Sequence, residues 1–246
     1  MEKGQHAICM NNKYRYLSKN FILFGISSFG PKIIAFLMVP LYTNYLSTTD
    51  YGIGDIVSTS ANLALPIIIL CVESAILRFC FDKEYEPDEV ISSGVFVCLR
   101  GMVLCAVCVI VIRAVPFIKI DTSYLVAFYL MVLSNGLYNV LTNYARSIDK
   151  VQYMVEMSLI TTIASCVLNV FLLVVLKSGL NGYLIASYLG TFLAVIWGSV
   201  RLRVHRHIKL NKVNKITVFE LQKFGFPLIF NKIGWWINSS SDRYIV

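Results

Sequence analysis

Residues Phe21-Ile22-Leu23-Phe24 and Ile33-Ile34-Ala35-Phe36-Leu37-Met38-Val39 flank one lysine, Lys32, inside an apolar run over 17–46. Lys32 is the only charged residue between Phe21 and Ser47. A run of this length crosses the roughly 30 Å hydrocarbon core of a bilayer with turns to spare. A lysine near the midplane costs about 3 kcal/mol to insert unless it faces a partner or a wet cavity. Lys32 lies about 14 residues from either end of the run, so at about 1.5 Å rise per residue its stem cannot reach an interface. We read it as a lysine facing the bundle interior; an ion pair to a buried carboxylate is the competing structural reading. Pro31 and Pro40 bracket it, and each removes a backbone hydrogen bond. The helix is therefore expected to bend or break beside Lys32.

The rest of the chain repeats this pattern. Of its 246 residues, 57% are hydrophobic and only 15% charged, which points to a polytopic membrane protein. Further apolar spans are expected at about 53–81, 91–115, 123–146, 153–176 and 183–200, and a seventh begins at 224. The net charge of +8 does not call for nucleic acid, because the cations collect in alternate loops. Four lie in 1–19, one in 82–89, two at Arg146 and Lys150, and seven from Arg201 to Lys223. The opposite loops hold Arg113, Lys119 and Lys177. Fourteen against three puts the N-terminus in the cytoplasm. The basic stretch 201–223 also suits anionic lipid, although orientation alone accounts for it.

The spans and loops show no catalytic carboxylate pair, Ser/His/Asp set or phosphate-cradling glycine loop, and we expect no catalytic residue, metal or cofactor. Cys105 and Cys108 form a CxxC inside an unbroken apolar run, where small buried thiols are the expected reading. His205 and His207 alone do not make a metal site. Asn135, Asn139 and Asn143 recur at i, i+4, i+8 and read as hydrogen-bond glue between helices. Five cations fall inside spans: Lys32, Arg78, Arg100, Lys232 and Arg243. Few acids oppose them. Glu73 is one, and eleven residues from Asn62 it should share a face with it. Excess cations in a membrane interior suit an anionic ligand, and both Arg and Lys bind phosphate. Lys232 and Arg243 are eleven residues apart and share a face with Trp236 and Ser239, a candidate sugar-phosphate path. Glu73 is a candidate coupling carboxylate, and a pair with Lys32 or Arg78 would explain it equally well.

Leu17-Ser18-Lys19 before Phe29-Gly30-Pro31-Lys32-Ile33 is echoed by Leu221-Gln222-Lys223 before Phe230-Asn231-Lys232-Ile233, and repeated halves are how many transporters are built. Val39-Pro40-Leu41-Tyr42-Thr43-Asn44-Tyr45-Leu46-Ser47 with Asp50-Tyr51-Gly52 resembles the end of the first helix in the bacterial polysaccharide and O-antigen repeat-unit flippases. Glu73-Ser74-Ala75 with Arg78-Phe79, Asn143-Tyr144-Ala145-Arg146, Gly179-Leu180-Asn181-Gly182-Tyr183, and Trp235-Trp236 with Ser241-Asp242-Arg243-Tyr244-Ile245 extend the resemblance, in order, over nearly the whole chain from Tyr16. It lies within the multidrug/oligosaccharidyl-lipid/polysaccharide exporter superfamily. The resemblance implies an all-α polytopic bundle: a cytoplasmic tail at 1–16, a six-helix lobe at 17–203, a basic linker at 204–223, and the start of a second lobe at 224–246. Since the family has twelve or more helices, the chain reads as a fragment. It further implies a flippase, not an enzyme, in the bacterial inner membrane, moving undecaprenyl-diphosphate-linked oligosaccharide for O-antigen, capsule or exopolysaccharide. Lys32, Arg78, Lys232 and Arg243 would bind the diphosphate and sugar. Membrane lipids and other polysaccharide-assembly proteins are the expected partners, and nucleic acid is not. A cation-coupled multidrug exporter would need cavity acids for cationic drugs, whereas here cations exceed acids. A glycan polymerase or ligase would need a large outer loop bearing catalytic residues, and the links 47–52, 113–122 and 177–182 are short.

Overall fold

The computed structural model describes residues 25, 28–82, 84–115 and 120–240, and among them it holds helices and no strand. Helix α1 covers 28–45, α2 Thr48–Ile68, α3 Val72–Phe79, α4 Pro87–Ala114 and α5 Thr122–Ser147. Helix α6, Val151–Asn169, runs on into a π-helical turn at Val170–Val175. Then come α7 (Gly179–Arg201), the short α8 (Val204–His207), a single tight turn at Leu210–Lys212, and α9 (Lys215–Ser240). The starts are set locally. Ser47 caps α2 by accepting from the Asp50 amide at 3.0 Å, and Asp121 caps α5 through the Ser123 amide. Pro87 opens α4, with Asp88 and Glu89 in its first turn, where a missing N–H is harmless and negative charge is favoured.

The protein is an all-α bundle of membrane-spanning helices. Four helices, α4, α5, α7 and α6 with its π-turn, are long and apolar enough to cross a bilayer, and α2 with α3, taken together as one element bent by 51°, is long and apolar enough for a fifth crossing. Its core is apolar, centred on Ile69, Val72, Ile76, Met102, Val132 and Tyr144, all at most 3% exposed. The outside is apolar as well: Leu99, Val103, Val107 and Ile110 of α4 and Phe192, Ile196 and Val200 of α7 are exposed. A soluble domain rarely leaves so large a contiguous apolar surface bare, whereas hydrocarbon solvates it. Helices α6 and α7 approach through small residues, with Gly190 against Ser165 and Gly198 against Met157.

Several expectations change here. Of the bend or break expected beside Lys32, the break does not occur: residues 28–45 are one continuous helix through Pro31 and Pro40. Residues 17–24, where that span is expected to begin, lie outside the described residues. The break comes instead in the second span, after Pro66. Helix α9 starts at Lys215, inside the stretch 204–223 expected as a basic linker, and α9 is not among the helices apolar enough to cross by itself. Of the asparagine ladder, one member bonds along its own helix. Asn143 Nδ2 donates to the Asn139 carbonyl of its own helix at 2.9 Å, a bond along α5 and not between helices.

Candidate functional site

The break between α2 and α3 is built by two residues in the left-handed region, Leu70 (φ 53°) and Cys71 (φ 49°). Pro66 stands one turn before it and cannot donate to the helix ladder. The Cys71 amide reaches back to the Pro66 carbonyl at 3.2 Å, which ends α2 in the manner of a Schellman stop. Left-handed conformations cost non-glycine residues about 1–2 kcal/mol each, so packing must hold them. Two glycines do so. An added Cβ at Gly101 of α4 would lie 2.1 Å from the Ile68 carbonyl oxygen, and one at Gly225 of α9 would lie 2.0 Å from that of Leu70. Only a residue without a side chain lets these helices sit directly on the freed carbonyls.

Helix α9 lies along the bent span. Phe224 packs edge-on against Phe79 at 5.9 Å, and the Arg78 guanidinium lies 4.6 Å above the Phe224 ring. Further along, Trp236 Nε1 donates to the Thr59 carbonyl at 3.1 Å. Between these contacts the two helices face each other with charge. Glu73, in the first turn of α3 and with its side chain 7% exposed, has Oε1 at 3.7 Å from Lys232 Nζ. Ser74 Oγ donates to the same oxygen at 3.1 Å. Oε2 is buried with no hydrogen-bond partner among the described residues. The Lys232 side chain is 52% exposed, so one end of the pair is dry and the other reaches open space. A carboxylate held so at a helix N-terminus is favoured by the dipole and the ammonium together.

Of the cations singled out by sequence, the structure brings Lys232 to Glu73 and sets Arg78 on the same α3–α9 seam. Lys32 stands apart on α1, exposed, with its ammonium 5.9 Å from the ring of Phe29 and no carboxylate partner among the described residues. Glu73 therefore pairs with neither Lys32 nor Arg78. Arg243 lies outside the described residues. Arg100 is exposed on α4, beside a cavity of about 340 Å³ that opens between Gly101, Ile68 and Leu70. Asn62 and Glu73 do not share a face: the bend interrupts the helical register, leaving Asn62 exposed and Glu73 buried. The Trp236 indole, expected on a ligand path, donates its N–H to the Thr59 carbonyl. Sequence reasoning missed Gly101 and Gly225, whose only signal was the absence of a side chain in otherwise bulky runs.

At the basic end of the bundle, the segment between α7 and α9 is tied to the start of α4. His207 Nδ1 lies 2.7 Å from Asp88 Oδ1, and Lys212 Nζ lies 3.0 Å from Glu86 and 3.4 Å from Asp88. The hydrogen bond to Glu86 holds the Lys212 ammonium above its ordinary pKa. Tyr85 donates to Glu220 at 2.6 Å, and Thr217 donates to Glu89. The Glu220 bond pushes the Tyr85 phenol up to about 12, so it remains a donor at physiological pH.

The family model described as polysaccharide biosynthesis protein matches residues 17–246, all but the N-terminal tail. No curated protein matches the chain, and no solved structure does.

Proposed function

Because the chain belongs to the polysaccharide biosynthesis protein family, we propose that it is a flippase, moving undecaprenyl-diphosphate-linked oligosaccharide repeat units across the bacterial cytoplasmic membrane for O-antigen, capsule or exopolysaccharide assembly. The observation that carries this reading is the Glu73–Lys232 pair, on the seam between the bent helix pair α2–α3 and α9. In this reading residues 17–203 form one lobe, α9 belongs to a second, and the seam is where they move against each other. Lys232, half-exposed, would release Glu73 and take a phosphate oxygen as substrate enters. Glu73 would then accept a proton or cation, which couples the lobe movement to an ion. Lys32, Arg78 and Arg243 would supply further positive charge for the diphosphate, while the polyprenyl chain stays in lipid. The work is transport, with no bond made or broken, and other polysaccharide-assembly proteins would supply and consume the cargo.

The basic end then faces the cytoplasm, as the loop charges favour. On a cysteine-free background, a single cysteine at Thr48 should be labelled only from outside, and one at Asn211 only from the cytoplasm. Labelling of position 48 from the cytoplasm would overturn the topology.

Deleting the gene in cells that make the glycan should leave lipid-linked repeat units on the cytoplasmic leaflet and none at the surface. Single repeat units on the outer face would indicate a polymerase or ligase instead. Unchanged surface glycan with altered drug tolerance would indicate a drug exporter. Lys32→Ala should lower surface glycan about tenfold to 150-fold at normal protein level, roughly the worth of one charge-assisted phosphate contact. Lys32→Arg should retain part of it, since charge is kept and geometry changed. Loss of protein level with transport per molecule unchanged would make Lys32 structural.

A further inference from the structure

The basic end holds a second feature, well away from the Glu73–Lys232 seam. Lys150, Tyr153, Arg201, Arg203 and Arg206 line a cavity of about 630 Å³ between the start of α6 and the end of α7. The chain leaves α7 through Arg203 in the left-handed conformation (φ 49°), while Leu202 is buried beside it. That turn sets Arg201, Arg203 and Arg206 around Lys150. Arg201 is satisfied: it lies 3.3 Å from Glu156 and 4.9 Å from the Tyr153 ring. His207, on the cavity wall, is taken by Asp88. Lys150 lies 5.7 Å from the Tyr153 ring. Arg203 and Arg206 have no side-chain partner among the described residues. Among the described residues, four cations thus line one cavity whose lining holds no carboxylate, and Glu156 beside it pairs with Arg201 alone; like charges so placed repel unless an anion joins them.

Loop charge bias explains why cations gather at this end, not why they converge on one concavity. The surroundings say what anion fits. Val200 lines the same cavity, and Ile196 and Trp197 just before it on α7 are 49% and 45% exposed, continuing the apolar outer stripe of that helix. Tyr153 and Trp197, one in the cavity and one beside it, are the aromatic types that sit at headgroup level. An arginine fork matches phosphate oxygens two at a time, and the apolar stripe offers a track for an acyl chain. We propose that this cavity is a binding site for the phosphate headgroup of an anionic phospholipid, with its acyl chain lying on the Ile196–Val200 face of α7. The site is independent of the transported cargo and anchors the α6–α7 end in an anionic leaflet.

The test uses the full chain in neutral detergent, presented with equal amounts of phosphatidylglycerol and phosphatidylcholine, with bound lipid counted by native mass spectrometry. Phosphatidylglycerol should be retained preferentially. The double variant Arg203→Gln, Arg206→Gln should weaken its retention about 25-fold, about fivefold for each cation removed. Lys209→Gln, Lys215→Gln removes the same charge from the same end but outside the cavity, and should change retention less than about twofold. Both pairs are exposed, so unfolding midpoints should match that of the parent. Equal losses in the two double variants would show a diffuse positive surface and overturn the site. Equal retention of phosphatidylglycerol and phosphatidylcholine, with inorganic phosphate bound in a manner that the double variant abolishes, would assign the cavity to a free anion and overturn the lipid assignment.

Discussion

Replacing Lys232 by alanine together with Glu73 by glutamine should leave a protein of near-normal abundance that delivers about a hundredfold less glycan to the cell surface. Lys232→Ala alone strands the Glu73 carboxylate, buried and with Oε2 already lacking a partner among the described residues. Breaking a fully buried pair costs about 3–5 kcal/mol, and the half-exposed lysine brings this nearer 1–3 kcal/mol. That single variant should therefore fall in both abundance and activity. Glu73→Gln removes the stranded charge, and the amide can still meet Ser74, so adding it should restore abundance. It cannot restore transport if Lys232 takes the substrate phosphate and Glu73 the coupling ion. A charge-assisted bond is worth about 1.5–3 kcal/mol, which alone is about tenfold to 150-fold. Surface glycan and membrane protein, measured together in each strain, separate the two effects. If the double variant regains transport along with abundance, the pair only holds α9 to α3, and the alternating-seam reading falls.

The largest stability effect should come from one added methyl group. Gly225→Ala puts a Cβ 2.0 Å from the Leu70 carbonyl oxygen and 3.2 Å from its carbon, both backbone atoms that cannot rotate aside. The left-handed turn behind that carbonyl is itself held in place by the packing, so relief requires α9 to lift from the bent span. Overpacking costs about 1–3 kcal/mol where side chains can yield, and a rigid backbone clash belongs at or above the top of that range. For a chain of this size about 3 kcal/mol lowers the unfolding midpoint by roughly 6–12 °C. Gly234→Ala, on the same helix with open space around it, should be neutral or gain up to about 1 kcal/mol from helix propensity. Thermal unfolding of the two purified variants decides the matter. Equal midpoints would mean that Gly225 does not clamp the break.

Composition and charge patterning alone settled much about this protein. Apolar runs longer than a bilayer is thick leave the backbone no alternative to helices, because nothing in hydrocarbon satisfies an open N–H or C=O. All-α class, multiple spans and the approximate places of α4, α5, α6 and α7 therefore follow from residue type along the chain. Family membership follows too, since it rests on residues in order over 17–246. What only the tertiary structure decided is where a helix yields and which charges meet. Pro31, Pro40 and Pro66 look alike in sequence, yet 28–45 stays continuous while the span after Pro66 breaks. The difference is made by neighbours: Gly101 and Gly225 come from distant helices to cover the Ile68 and Leu70 carbonyls that the break exposes. Glu73 likewise had nearby cations to choose from in sequence, and the packing of α9 across the bend gave it Lys232. Helical periodicity predicts faces only while the helix is unbroken, and it carries no information about which helix lies opposite.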